Sequence, residues 1–347
     1  MRLRTLGGTG IKVSPYCLGA MMFGAMGNAD HGEAVRMIHT AFDAGINLVD
    51  TADVYSNGES EEILGKALKG RRDDIVVASK AHLPMGEDAN RRGGSRRWLV
   101  RAVEDSLRRL DVDHLDLYQL HRPDEDTALD ETLGALSDLV RSGKVRAAGT
   151  STFPAELIVE MQWESERRGH VRMRTEQPPY SIFNRAAETS VLPTCARYGM
   201  GVLTWGPLNR GWLTGRYRPG YQLPEGAHPV QQQMFHPAIP ANARKYAVIE
   251  QLLKLAADSG HSLAHLAVAF VLSHPAVTSA IIGPRTPEQL ADLLAGKDTV
   301  LEDEVLNRID ELVPPGTVLN PDDSFYQPPG ITDLSQRRRP RETRAAV

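Results

Sequence analysis

The sequence predicts an α/β fold, a (β/α)8 TIM barrel with an N-terminal β-hairpin and long loops on its C-terminal face. Three observations predict it. Short apolar runs alternate with helix-period segments along most of the 347 residues, and such alternation argues for a parallel sheet. The runs number eight, enough to close a barrel where a doubly wound open sheet could use fewer. The units also follow one another almost without interruption from Tyr16 to Gly296.

Taken in order, Leu3–Val13 reads as a hairpin turning around Gly7, Gly8 and Gly10. The barrel strands are expected at Tyr16–Leu18, Asn47–Asp50, Ile75–Ser79, Leu115–Leu120, Val145–Thr150, Met173–Gln177, Gly201–Trp205 and Ser279–Ile282. Between them lie amphipathic helices. In Arg96–Leu110, Leu99, Val103, Leu107 and Leu110 fall on one helical face, and Leu129, Leu133, Leu136 and Val140 repeat the pattern. Gly45, Gly143 and Gly199 follow helices where a left-handed residue ends the last turn. One long interruption, Pro207–Asn242, is rich in Gly, Pro and Gln and has no helical period; loops of that length in compact domains are usually functional. A last helix, Glu302–Leu312, completes a single domain over residues 1–313. Residues 314–347 form a tail: a Pro-rich segment, Pro314–Pro329, expected to act as a substrate loop, and then a frayed basic end with Arg337–Arg339.

Composition narrows the function classes. Lys plus Arg total 40 against 44 Asp plus Glu, for a net charge of −4, which argues against a nucleic-acid partner. The 41% hydrophobic content is that of a globular chain rather than a disordered one. Cys17 and Cys195 cannot make a disulfide framework. No apolar run reaches the ~18–20 residues of a membrane span. Tyr16–Met26 is interrupted by Gly19 and Gly24 and lacks a cleavage site, so it reads as a strand and its exit loop rather than a signal segment. A cytoplasmic location follows as the default, and no metal site is expected.

In a barrel of this kind function collects at the C-terminal ends of the strands. Here those ends are polar: Asp50 with Tyr55 just after it, Lys80, His121, Ser151 with Thr152, Gln177 and Trp205. An Asp, a Tyr, a Lys and a His from three adjacent strands should converge on one cavity mouth. They suit proton donation to a carbonyl oxygen as hydride reaches its carbon. Tyr is the acid, but its free pKa near 10 lies about three units above neutrality, so roughly 4 kcal/mol of phenolate stabilisation is wanted. Lys80 supplies that field, Asp50 holds Lys80 charged, and His121 orients the carbonyl.

The runs NLVDTADVYSNGESEEILGKAL, VVASK, LDLYQLHRPD, RAAGTSTF, TEQPPYSIFNR and LTWGPLNRGWLTGRY resemble the aldo-keto reductase superfamily over about Leu3 to Gly296. The resemblance implies an eight-stranded barrel, a nicotinamide cofactor (usually NADPH) and the tetrad Asp50, Tyr55, Lys80 and His121. It further implies that Ser151 and Gln177 hold the carboxamide and Trp205 stacks on the ring. Pro207, Leu208 and Gly211 would wrap the pyrophosphate, and Gly283, Arg285, Gln289 and Asp292 would grip the adenosine end. Arg285, read as opening a helix, suits a 2′-phosphate, which favours NADPH over NADH. Three positions depart from the family's pattern: Thr152 and Leu293 stand where Asn is common, and the loop after His121 is short. Substrate contacts are then expected from Met22, Phe23, the Ala81–Arg97 loop and the tail. Trp205, Phe23, Trp98 and Tyr326 could line an apolar pocket for an aryl aldehyde, whereas Arg96, Arg97 and Arg122 could meet a phosphate or nucleotide sugar.

Other readings fit less well. Gly8-Thr9-Gly10 does not continue into a dinucleotide fingerprint. Gly149–Phe153 lacks the last Gly of a nucleophile elbow. His261 and His265, expected on one helical face, lack the Glu of a zinc motif. The reading is therefore NADPH-dependent reduction of a carbonyl compound. The alternatives are a cofactor-binding regulatory or scaffold subunit, resembling the potassium-channel β-subunits, and a reductase of nucleotide sugars.

Overall fold

The computed structural model describes residues 1–218, 220, 234–236, 238–324, 326–327 and 329–344. Strands β1 (Arg4–Thr5) and β2 (Lys12–Val13) form the antiparallel N-terminal hairpin around a 3-10 turn at Gly7–Thr9. Strands β3 (Tyr16–Gly19), β4 (Leu48–Asp50), β5 (Val76–Ala81), β6 (Leu115–Leu120), β7 (Val145–Ser151), β8 (Thr175–Gln177), β9 (Gly201–Thr204) and β10 (Ser279–Ile282) close a parallel barrel in chain order, β10 pairing back onto β3. Around it lie α1 (His31–Asp43), α2 (Glu59–Leu68), α3 (Arg96–Leu110), α4 (Leu129–Arg141), α5 (Ala155–Arg168), α6 (Val191–Tyr198), α7 (Pro240–Asp258), α8 (Leu263–Ser273), α9 (Pro287–Ala295) and α10 (Asp303–Leu312).

Two apolar clusters hold this arrangement. The larger fills the layer between sheet and helices, where Leu99, Val103 and Leu110 of α3 and Leu133 and Leu136 of α4 are buried as their spacing requires. The smaller lies inside the barrel and comprises Leu6, Val13, Cys17, Leu48, Val76, Ala78, Leu117, Ala147, Leu203 and Ile281. Leu6 and Val13 bring the hairpin into this inner cluster, sealing the N-terminal end. Gly7 makes the close seat possible: at φ 51 it lies so near β9 that a Cβ would meet the Gly201 nitrogen at 2.4 Å. With the base of the barrel packed and largely apolar, the ionisable inward side chains Asp50 and Lys80 sit at the strands' C-terminal ends.

Expected boundaries hold within one or two residues, and Gly45, Gly143 and Gly199 all adopt positive φ. Three local expectations are corrected. Helix α7 begins at Pro240, inside the stretch expected to lack helix, because Pro at the first position preorganises φ and loses no hydrogen bond there. Helix α8 begins only at Leu263, capped by Ser262 Oγ accepting from His265 N at 3.2 Å, so His261 precedes the helix and shares no face with His265. Arg285 likewise lies outside its helix: Thr286 caps α9, and Gln289 turns back to accept from Arg285 N at 2.9 Å. Within Pro207–Asn242, residues 219, 221–233 and 237 lie outside the described residues.

The tail does not leave the barrel at once. Arg185 N donates to Thr317 O at 2.9 Å and Leu319 N to Phe183 O at 3.0 Å, laying residues 317–319 along the segment after β8. Short helical turns follow at Pro329–Thr332, Leu334–Arg337 and Arg341–Thr343, with the basic residues exposed. Residues 325, 328 and 345–347 of the tail lie outside the described residues. Among the described residues, no single helix is long and apolar enough to cross a membrane.

Candidate active site

Strand periodicity builds the site. Asp50, Lys80 and Gln119 lie two residues beyond Leu48, Ala78 and Leu117 of the inner cluster, so all three continue the inward face at the mouth. Lys80, fully buried, places Nζ 2.5 Å from Asp50 Oδ2, 2.9 Å from Thr51 O and 3.2 Å from the Tyr55 hydroxyl. The other Asp50 oxygen accepts from Gln177 Nε2 at 2.8 Å and Gln119 Nε2 at 3.4 Å. The His121 ring stands edge-on to Tyr55, with centroids 5.7 Å apart. The four expected residues therefore meet.

Tyr55 reaches this point through turn chemistry. Ser56, Asn57 and Gly58 take positive φ in succession, redirecting the chain from the strand-end loop into α2. Asn and Gly tolerate that region readily.

The electrostatics divide the roles. Burial alone would lower the Lys80 pKa, but the Asp50 carboxylate and the Tyr55 hydroxyl beside it reverse the effect and raise it, so Lys80 stays charged. Burial raises Tyr55 above its ordinary value, with Lys80 opposing. The expectation of a lowered phenol is thus corrected: desolvation outweighs the ammonium, and the hydroxyl is held protonated. Burial and the neighbouring Lys80 and Arg122 charges push His121 well down, leaving a neutral imidazole. Its Nδ1 is buried without a protein partner among the described residues, so Nε2 is the nitrogen that can meet a ligand.

The remaining expected residues fall into two groups. Around the mouth, Ser151 Oγ donates to Gln177 O at 3.0 Å, Thr152 takes φ 61, and Trp205 is half-buried with the Arg122 guanidinium 6.0 Å from its ring centre. Pro207, Leu208 and Gly211 form a tight reversal in which Gly211 N and Leu213 N donate to Leu208 O, with Gly211 at φ 98. A Cβ added at Gly206 or Gly283, past the ends of β9 and β10, would meet nothing within 4 Å. Those two glycines leave open space past the ends of neighbouring strands, which a cofactor laid across them would need, and Arg285 nearby in sequence is exposed.

Elsewhere the placements are less direct. Gln177 bonds Asp50, as above. Asp292 receives His265 Nε2 at its carbonyl, 2.8 Å away, and Leu293 is buried in the outer cluster. Met22 is half-buried. Phe23 and Trp98 are covered by the main core, Trp98 carrying the Arg91 guanidinium 5.7 Å from its ring. Tyr326 is partly buried near Glu125 and Glu156. Arg96 is paired away from the mouth, Nη1 lying 2.5 Å from Asp138 on α4.

Sequence reasoning missed three polar clusters. Gln119, two residues before His121, was discoverable from strand periodicity. Glu176 accepts from Thr150 Oγ1 at 2.5 Å and Phe153 N at 3.1 Å, bracing the turn that carries Thr152. Lys245 on α7, fully buried, lies 2.7 Å from Asp323 Oδ2 and donates to Asn209 Oδ1 at 2.9 Å, joining the loop after β9 to the tail. No local pattern marks that contact.

The comparisons agree with this geometry. The profile of the Aldo/keto reductase family matches residues 15–314. The chain is 36% identical over 328 residues to "Uncharacterized oxidoreductase YrpG" of Bacillus subtilis (strain 168), covering 90% of this chain and 96% of that protein. It is 36% identical over 298 residues to "Aldo-keto reductase YhdN" of the same organism, covering 84% and 88%. It is also 35% identical over 324 residues to "Probable voltage-gated potassium channel subunit beta" of Oryza sativa subsp. japonica, covering 90% and 97%. A closed eight-stranded barrel, these strand-end side chains and a match over residues 15–314 place the chain in the aldo/keto reductase family.

Proposed function

We propose that the protein reduces an aldehyde or ketone to the alcohol using NADPH, with Tyr55 as the proton donor. The observation that carries this is Lys80 Nζ held between Asp50 at 2.5 Å and the Tyr55 hydroxyl at 3.2 Å, with His121 beside the phenol. When bound, a reduced nicotinamide supplies hydride to the carbonyl carbon. The chain's own residues handle the oxygen. Neutral His121 donates through Nε2 and fixes the carbonyl, and the protonated phenol delivers its hydrogen as negative charge develops. The Lys80 ammonium then stabilises the phenolate, and Asp50 keeps that ammonium charged.

Ser151, Trp205, the Pro207–Gly211 reversal and Arg285 would hold the cofactor. The exposed guanidinium of Arg285, beside the capped start of α9, favours a 2′-phosphate and hence NADPH over NADH. Oxidation of NADPH with a reactive aromatic aldehyde tests the reading. Turnover supports it; cofactor binding with no turnover would favour the regulatory-subunit reading that the rice relative's name brings in. Arg285→Ala should raise KM for NADPH by about tenfold or more and leave KM for NADH little changed. Equal effects on both would remove the 2′-phosphate assignment.

A further inference from the structure

Arg122 follows His121 at the mouth, and the reduction described above gives it no direct part. Its Nη1 donates to His121 O at 2.6 Å and to Thr152 Oγ1 at 3.2 Å. Both acceptors are neutral, and none of the ion pairs among the described residues includes Arg122. The acids nearby are engaged elsewhere. Glu176 receives Thr150 and Phe153, and burial pushes its carboxyl up to about 7. Asp124 receives Gly94 N at 2.6 Å and Asp126 N at 3.1 Å. His121 and His82 lie within electrostatic reach of the guanidinium without offering negative charge; burial lowers His82, whose ring nitrogens have no protein partner among the described residues.

Glu176 acts on the guanidinium only from beyond ion-pair distance, so a partly buried cation here is poorly compensated unless a ligand supplies a closer charge. Burial does lower the Arg122 pKa, yet guanidinium stays protonated in proteins, so the charge persists. Its position answers where such a ligand would sit: within electrostatic reach of the Tyr55 hydroxyl and 6.0 Å from the Trp205 ring centre. Both hydrogens of Nη1 are committed, while Nε and Nη2 of the planar fork remain to meet two oxygens of one group. One cation matches a monoanion. A phosphate dianion would want a second, and Lys80 is already neutralised by Asp50.

We propose that Arg122 is a specificity-determining residue that binds a carboxylate on the substrate, so that the preferred substrates are carboxylate-bearing aldehydes or ketones. This rests on the reductase reading above and narrows it. The test compares kcat/KM for 2-, 3- and 4-carboxybenzaldehyde with the matching tolualdehydes, in the parent and in Arg122→Met and Arg122→Lys. NADPH affinity is read in parallel by fluorescence titration.

At least one carboxylated isomer should be preferred by about tenfold or more in the parent. That ratio should collapse toward one in Arg122→Met and recover in part in Arg122→Lys, with NADPH affinity held in both. Equal reduction of charged and neutral aldehydes by the parent overturns the proposal, as does a ratio unchanged in Arg122→Met. A loss of NADPH affinity in Arg122→Met with no change in the ratio would assign the guanidinium to the dinucleotide, and also overturns it. If the parent reduces none of these aldehydes while binding NADPH, the reductase reading itself falls.

Discussion

Thr152 sits at φ 61, a region that a β-branched residue occupies under strain and that Asn tolerates. Its Oγ1 also receives Arg122, and its backbone N donates to Gln177 O at 3.1 Å, so the strain is held from both sides. Thr152→Asn should therefore stabilise the fold by about 1 kcal/mol, read as a raised urea midpoint at unchanged slope. Asp53 is a second pressure point. Both its carboxyl oxygens are buried with no hydrogen-bond partner among the described residues, and burial next to Glu61 raises its pKa to about 8. An acid that keeps its proton in the fold and loses it near 4 when unfolded makes stability fall as pH rises from about 4 to about 8. Asp53→Asn should flatten that fall, seen as a smaller Tm difference between pH 5 and pH 8.5. The residues at strand ends were legible because each ends an apolar run. Asp53, Glu61 and Glu176 were not, since nothing in a single sequence distinguishes a buried carboxylate from a solvated one.

The loop after β9 and the tail are tied together by Lys245, Asp323 and Asn209, a contact spanning more than a hundred residues of chain. Lys245→Met alone would strand Asp323 in a buried site and should cost about 3–5 kcal/mol. Lys245→Met with Asp323→Asn should recover part of that loss, and urea titration of the two variants separates the outcomes. Strands and helices were predicted closely because period 2 and period 3.6 are local signals. Arg96–Leu110 is a helix over the residues its spacing marks, and β6 runs Leu115–Leu120 as expected. The errors at His261 and Arg285 share one cause: each is decided by which residue caps a helix, and Ser262 and Thr286 outrank the apolar period at those ends. The start at Pro240 has another, the fixed φ of a proline in the first turn.

The barrel as a whole separates support from chemistry: the hairpin and the inner apolar cluster fill its base, and the charged groups gather at its mouth. Closure was readable from eight strand–helix units, but the sign of the Tyr55 shift was not. That sign depends on how much of the mouth the surrounding loops cover, a property of the assembled molecule. It has a kinetic consequence. With Tyr55 held protonated and His121 held neutral, aldehyde reduction should stay level from about pH 6 to pH 9. The reverse oxidation, which needs the phenolate, should rise with pH over the same range; steady-state profiles in both directions check this.

The most direct measurement is NADPH oxidation with a reactive aromatic aldehyde by Tyr55→Phe, alongside NADPH binding to the same variant. Turnover should drop by about a hundredfold or more while binding persists. A rate within a few-fold of the parent's would contradict the assignment of the proton to this phenol.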